Sequence, residues 1–137
     1  IFTRREEQTA SCLYADMPRT YLYEPNASLL KAGAFRCLSY IYKVEKLHAS
    51  SHLYTSDEAL SGFPGRMFRI DGWCGFSKRE VKDLLGDVRK ANLTVRNFPA
   101  TVAELRKRLK LAEGGDVYLF ATTLNDGRKI LLRCRKL

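Results

Sequence analysis

The chain has 137 residues, 45% of them hydrophobic, and a formal net charge of +9. That hydrophobic content excludes wholesale disorder, and no apolar run approaches the roughly 20 residues of a membrane helix, because the longest stretch, Ala27 to Val44, is interrupted by Lys31, Arg36 and Lys43. The charge is one-sided: residues 1–65 hold seven Lys/Arg against seven Asp/Glu, and residues 66–137 hold seventeen against eight. A net positive charge confined to one segment points to a polyanionic partner, RNA or DNA, since clustered Lys/Arg gain free energy by displacing counterions from phosphates.

Halves of about 65 and 72 residues would each be marginal alone and are expected to share packed surface. The chain starts at Ile1 with Ile-Phe-Thr-Arg-Arg-Glu-Glu-Gln, which lacks the charged-then-apolar order of a secretory signal and is expected of a piece of something longer. Cys12, Cys37, Cys74 and Cys134 lie far apart with no C-x-x-C pair, so reduced, buried thiols are expected, in a soluble, cytoplasmic protein.

Residues 1–19 show no clean period and read as a connector. Thr20 to Tyr23 predicts a strand, stopped by Glu24-Pro25-Asn26, with Asn26 as the N-cap of a helix from Ala27 to about Tyr42 whose apolar stripe is Leu30, Ala34, Cys37, Leu38 and Ile41. His52 to Thr55 is a short strand. Gly62-Phe63-Pro64-Gly65 breaks regular structure where the charge balance changes and marks the internal boundary.

In the second half, Met67 to Ile70 predicts a strand and Ser77-Lys78-Arg79-Glu80 a capping box, followed by Val81, Leu84, Leu85 and Val88 at helical spacing. A strand over Leu93–Asn97 leads to a second capping box, Thr101-Val102-Ala103-Glu104, and a helix with Val102, Leu105 and Leu109 inward. Gly114-Gly115 ends that unit. Val117–Leu124 and Lys129–Lys136 flank Asn125-Asp126-Gly127-Arg128, a hairpin signal. The resulting β-α-β-α-β-β order predicts an α+β sandwich with helices on one face of a mixed sheet.

On the second helix, Arg106 and Lys110 project from one flank of the apolar stripe, Arg108 from the other and Lys107 opposite it. In the last strand, Leu132 and Cys134 are expected inward, with Arg133 and Arg135 outward on one sheet face. Arg106, Lys107, Lys110, Arg133 and Arg135 are therefore the candidate phosphate-binding residues, although most charge runs are only solvated faces. Trp73, Phe76, Phe98, Tyr118 and Phe120 could stack bases or fill the core. His48 and His52 stand four apart, but His52 opens a strand and no cysteine pair completes a metal site. Asn97-Phe98-Pro99-Ala100 is similar to the Asn-Pro-Pro-aromatic motif of amino methyltransferases but lacks the second Pro and the aromatic, and is better explained as a strand end before a capping box. No Gly-rich loop joins a strand to a helix as a nucleotide cradle, and no nucleophile–base set shows ordered spacing.

Tyr23-Glu24-Pro25-Asn26 with Lys31-Ala32-Gly33, Leu53 to Asp57, Arg66 to Ile70, Leu105-Arg106-Lys107-Arg108-Leu109 and Val117 to Leu137 resemble the C-terminal region of bacterial class I S-adenosylmethionine-dependent methyltransferases ending in a THUMP-like domain. The resemblance is nearest to the Bacteroidetes members and covers almost the whole chain. It implies a ferredoxin-like segment over residues 1–62, a THUMP-like domain over residues 63–137, and a Rossmann-type catalytic domain before Ile1 that holds the S-adenosylmethionine. It further implies a non-catalytic role in substrate recognition, with RNA (tRNA or rRNA) as partner. The alternative is an interaction domain that packs on the catalytic domain or mediates dimerisation, in which Glu24, Pro25 and Asn26 form a domain interface.

Overall fold

A ten-residue strand at the centre of the sequence, Gly65–Cys74, organises the whole fold. The computed structural model describes residues 14–25, 44–48, 52–60, 63 and 65–137. In chain order the elements are β1 (Tyr21–Pro25), β2 (Glu45–Lys46), β3 (Tyr54–Ser56), β4 (Gly65–Cys74), α1 (Lys78–Leu85), β5 (Asn92–Val95), α2 (Val102–Leu109), β6 (Tyr118–Thr123) and β7 (Lys129–Lys136). The strands form one seven-stranded sheet in the order β2-β3-β1-β4-β7-β6-β5. Every neighbouring pair is antiparallel except β5 and β6, whose parallel pairing is made possible by the crossover through α2. The predicted β-α-β-α-β-β order of the second half is the one formed. The expected N-cap at Asn26, the helix over Ala27–Tyr42, and Cys12 and Cys37 lie outside the described residues.

The central strand explains why the two halves do not stand apart. Gly65 to Arg69 pair with β1, while Phe68 to Cys74 pair with β7, so one strand that begins at Gly65 joins the strands of both halves in a single sheet. At Gly65 a side chain has no room, since a Cβ would lie 2.1 Å from the Glu24 carbonyl oxygen. Between Ile70 and Gly72 the register slips by one residue, leaving Asp71 in a bulge where its carboxylate meets Arg135 at 3.1 Å. An ion pair also links edge strand β5 to β1: Arg96, just past β5, lies 3.1 Å from the Glu24 carboxylate on β1, which also binds Arg66.

Both faces of β6 and β7 are buried. Phe120, Ile130, Leu132 and Cys134 face a cluster with Phe68 and with Leu22, Leu47 and Leu53 from the first half, whereas Leu119, Ala121 and Leu131 belong to a cluster with Leu85 and Leu105 of the helices and Leu93 of β5. The near-continuous apolar runs of these strands follow from that double burial. A third cluster, Tyr23, Val44, Tyr54 and Phe63, is built from the first half and packs against Met67 of β4.

Helix ends follow the predicted signals, with two departures. Thr101 and Glu104 form a complete capping box. At α1 only the Ser77 half forms, its hydroxyl accepting from the Glu80 amide at 3.2 Å, because the Glu80 carboxylate turns back against Gly75. Val102, expected inward, is exposed at the first position of α2, while Leu105 is fully buried. Gly86 ends α1 with φ 53°, so Val88 packs on the helix-side core from beyond the helix. Asn97, placed at a strand end, instead turns the chain with φ 52°, and its carbonyl accepts from Thr123 Oγ1 at 2.6 Å. Among the described residues no helix is long and apolar enough to cross a membrane.

Cys74 and Cys134 are free thiols, Cys134 buried in the core. Burial, with a smaller contribution from Glu80, pushes the Cys74 thiol up to about 11, and burial, then Asp71, pushes Cys134 up further still. Above the ordinary thiol value of 9.0 the unfolded chain ionises these groups while the folded one resists. Stability from this source is therefore complete below pH 9.0 and declines as pH rises through about 11. In urea melts from pH 8 to 10.5, Cys134→Ala should show a shallower alkaline loss than the parent chain.

Candidate nucleic-acid interface

The charge pattern of α1 separates its two flanks. Lys78 and Lys82, one turn apart, border a groove of about 650 Å³ between α1 and α2, which Arg89, Arg108 and Lys110 border from the other sides. Among the described residues no carboxylate lines it. Its floor is Phe76, Val81, Leu85, Val88 and Leu109, an apolar strip continuous with the helix-side core. The Arg108 guanidinium lies 5.6 Å from the centroid of the Phe76 ring, and that ring packs 5.0 Å from Phe98. Five cations around an apolar, partly aromatic strip suit a polyanion that also carries flat apolar groups.

Four of these five cations were not among the residues proposed from the sequence. Lys110 was, but the helical wheel set it on the flank opposite Arg108. It ends α2 in the left-handed conformation, with φ 57°, so the wheel does not apply to it and both line the groove. Lys78 and Lys82 carried a legible signal in their four-residue spacing next to a capping serine.

The other proposed residues are placed differently. Arg106 is half-buried and donates through Nη1 to the Ala91 carbonyl at 3.1 Å. Arg135 is exposed and paired with Asp71. Lys107 is exposed and, among the described residues, makes no hydrogen bond or ion pair. Arg133, expected outward, is half-buried beneath α1 and donates to the carbonyls of Leu84 at 2.8 Å and Leu85 at 3.5 Å. The face of β7 taken as solvent-exposed is covered on the helix side at Leu131 and Arg133 and opens at its ends, at Lys129 and Arg135. Arg133 thus satisfies carbonyls at the C-terminus of α1, where the helix dipole also favours a cation. Arg133→Met should lower unfolding stability by about 1–2 kcal/mol in urea and change RNA affinity by less than about twofold, as expected of a group that only caps a helix.

Of the proposed domain-interface residues, Glu24 is engaged within the chain by Arg66 and Arg96, Pro25 is buried opposite Gly65, and Asn26 lies outside the described residues. His48 follows β2 and His52 precedes β3, and burial, then Lys46 and Arg96, holds His52 below the ordinary histidine value. Among the described residues no three His, Cys, Asp or Glu side chains are grouped to hold a metal ion.

Fold and groove together are those of an α+β region with a cation-lined cleft on the helix side of its sheet. Residues 65–136 match the THUMP domain-like family and residues 21–64 a ferredoxin-like domain family, and the chain belongs to the THUMP domain-like family. It is similar to a crystal structure described as a putative methyltransferase from Porphyromonas gingivalis W83, with 46% identity and a TM-score of 0.90 over 98% of this chain. The chain spans 34% of the length of that relative. No curated protein matches it.

Proposed function

We propose that this chain is the non-catalytic substrate-recognition region of an S-adenosylmethionine-dependent RNA methyltransferase, and that it holds structured tRNA or rRNA by its phosphates. The observation that carries this reading is the α1–α2 groove, lined among the described residues by five cations and no carboxylate. Phosphate contacts position an RNA without reading its sequence, so affinity from this surface is modest, with a Kd of roughly 10⁻⁴ to 10⁻⁶ M.

The described residues do not fit S-adenosylmethionine. The turn from β4 into α1 has one glycine, Gly75, and an added Cβ there would meet a Glu80 carboxylate oxygen at 2.7 Å. A carboxylate folded onto the helix N-terminus repels the anionic end of a cofactor. The turn from β5 into α2, Arg96 to Thr101, contains no glycine. Cofactor and chemistry belong, in this proposal, to a Rossmann-type domain elsewhere in the parent protein, with this region presenting the RNA to it.

Fluorescence anisotropy with tRNA and rRNA fragments tests the reading. The triple variant Lys82→Ala, Arg89→Ala, Arg108→Ala should bind at least about tenfold more weakly at low salt, since each lost phosphate contact removes a counterion-release contribution. Lys107→Ala with Arg135→Ala should bind almost as the parent does. The reverse ranking would move the surface to the outer face of α2, and no binding at low salt would leave the interaction-domain reading.

A further inference from the structure

On the opposite flank of α1 lies a second cavity, of about 750 Å³. Trp73, the one tryptophan of the chain, lines it, with Glu80 and Asp83 of α1 on one side and Arg128 and Lys129 of the β6–β7 hairpin on the other. Among the described residues, neither carboxylate nor the indole N–H makes a hydrogen bond or ion pair. The Arg128 guanidinium lies 5.9 Å from the Trp73 ring centroid and is held there by Asp126 Oδ2 at 2.7 Å and the Asp16 carbonyl at 3.1 Å. This indole face already receives a flat, delocalised group. The cavity therefore offers a stacking surface, two acceptor-only groups and two cations.

We propose that it is a subsite for one unpaired nucleobase bearing an exocyclic amino group, on the RNA whose phosphates follow the α1–α2 groove; this rests on the RNA-binding reading above. The base displaces the Arg128 guanidinium from the Trp73 ring and stacks there, which frees Arg128 to turn toward phosphate. The base's amino group donates to Glu80 or Asp83, and Arg128 and Lys129 neutralise the flanking phosphate. The carboxylates supply the discrimination: ionised, they only accept hydrogen bonds, so they repel a phosphate and the carbonyl edge of uracil but satisfy the amine of cytosine, adenine or guanine. Trp73 and Phe76 bracket the turn into α1, so a single strand rounding the start of that helix can reach both cavities.

Cytosine and uracil are nearly isosteric and differ at C4, an amino against a carbonyl group, and in the proton on uracil N3, which makes their comparison the direct test. In the 137-residue chain, oligocytidylate should quench the single tryptophan saturably and bind about tenfold more tightly than oligouridylate of equal length, the value of one hydrogen bond to a charged acceptor. Glu80→Gln with Asp83→Asn should bring the two affinities within about twofold by loosening discrimination, while leaving oligouridylate binding undiminished. Equal affinities in the parent chain, or a preference that survives the double variant, would overturn the subsite while the groove reading stands. Should neither oligomer nor tRNA bind by anisotropy at low salt, both readings fall together.

Discussion

Phe68→Ala is expected to lower the free energy of unfolding by about 3–5 kcal/mol, the cost of a large buried aromatic whose site cannot collapse. Phe68 is fully buried on the central strand and packs against Phe120 at 5.0 Å and Tyr118 at 5.2 Å, so truncation also removes two aromatic contacts. The cluster around it takes Leu22, Leu47 and Leu53 from the ferredoxin-like segment and Leu132 and Cys134 from the THUMP-like one. The loss should therefore appear as one cooperative transition. Trp73 fluorescence and far-ultraviolet dichroism should move to a lower urea midpoint together. Separate midpoints would mean that the halves fold independently.

Gly65→Ala should cost a similar amount, about 3 kcal/mol or more, by a different mechanism. The added Cβ meets backbone, the Glu24 carbonyl oxygen at 2.1 Å and the Pro25 Cα at 2.7 Å, and no rotamer change relieves that. Strand β1 has to part from β4, which weakens the strand pairing that, among the described residues, carries β2, β3 and β1 onto the rest of the sheet. Gly72→Ala is the control: its Cβ would meet only the tip of Leu84, at 3.0 Å, and a flexible side chain can move aside. The control should cost under about 1.5 kcal/mol. If both variants melt alike, the tight β1–β4 approach is not what joins the halves.

The elements with local signals were legible in the sequence. Thr101 with Glu104, the Asn125–Arg128 hairpin and the run Ile130-Leu131-Leu132 each encode their structure within a few residues, and each formed. What the sequence hid is non-local. Nothing near Arg133 announces that α1 will end above it, so strict alternation made it an exposed cation when its partners are carbonyls 49 and 48 positions away. The groove was obscured for the same reason: Lys78, Lys82 and Arg89 face Arg108 only after β5 and α2 fold back, and Lys110 departs from the helical wheel through a left-handed cap.

The measurement that bears most directly on the account is the salt dependence of RNA affinity, taken as log Kd against log salt for the parent chain and its groove variants. Each phosphate held should contribute a slope of about 0.7 to 0.9. The parent should show a steep slope, and Lys82→Ala, Arg89→Ala and Arg108→Ala should each reduce it by about one such step, with Arg133→Met leaving it unchanged. A slope near zero in the parent, or one that survives removal of all three groove cations, would contradict a phosphate-binding role for the α1–α2 groove.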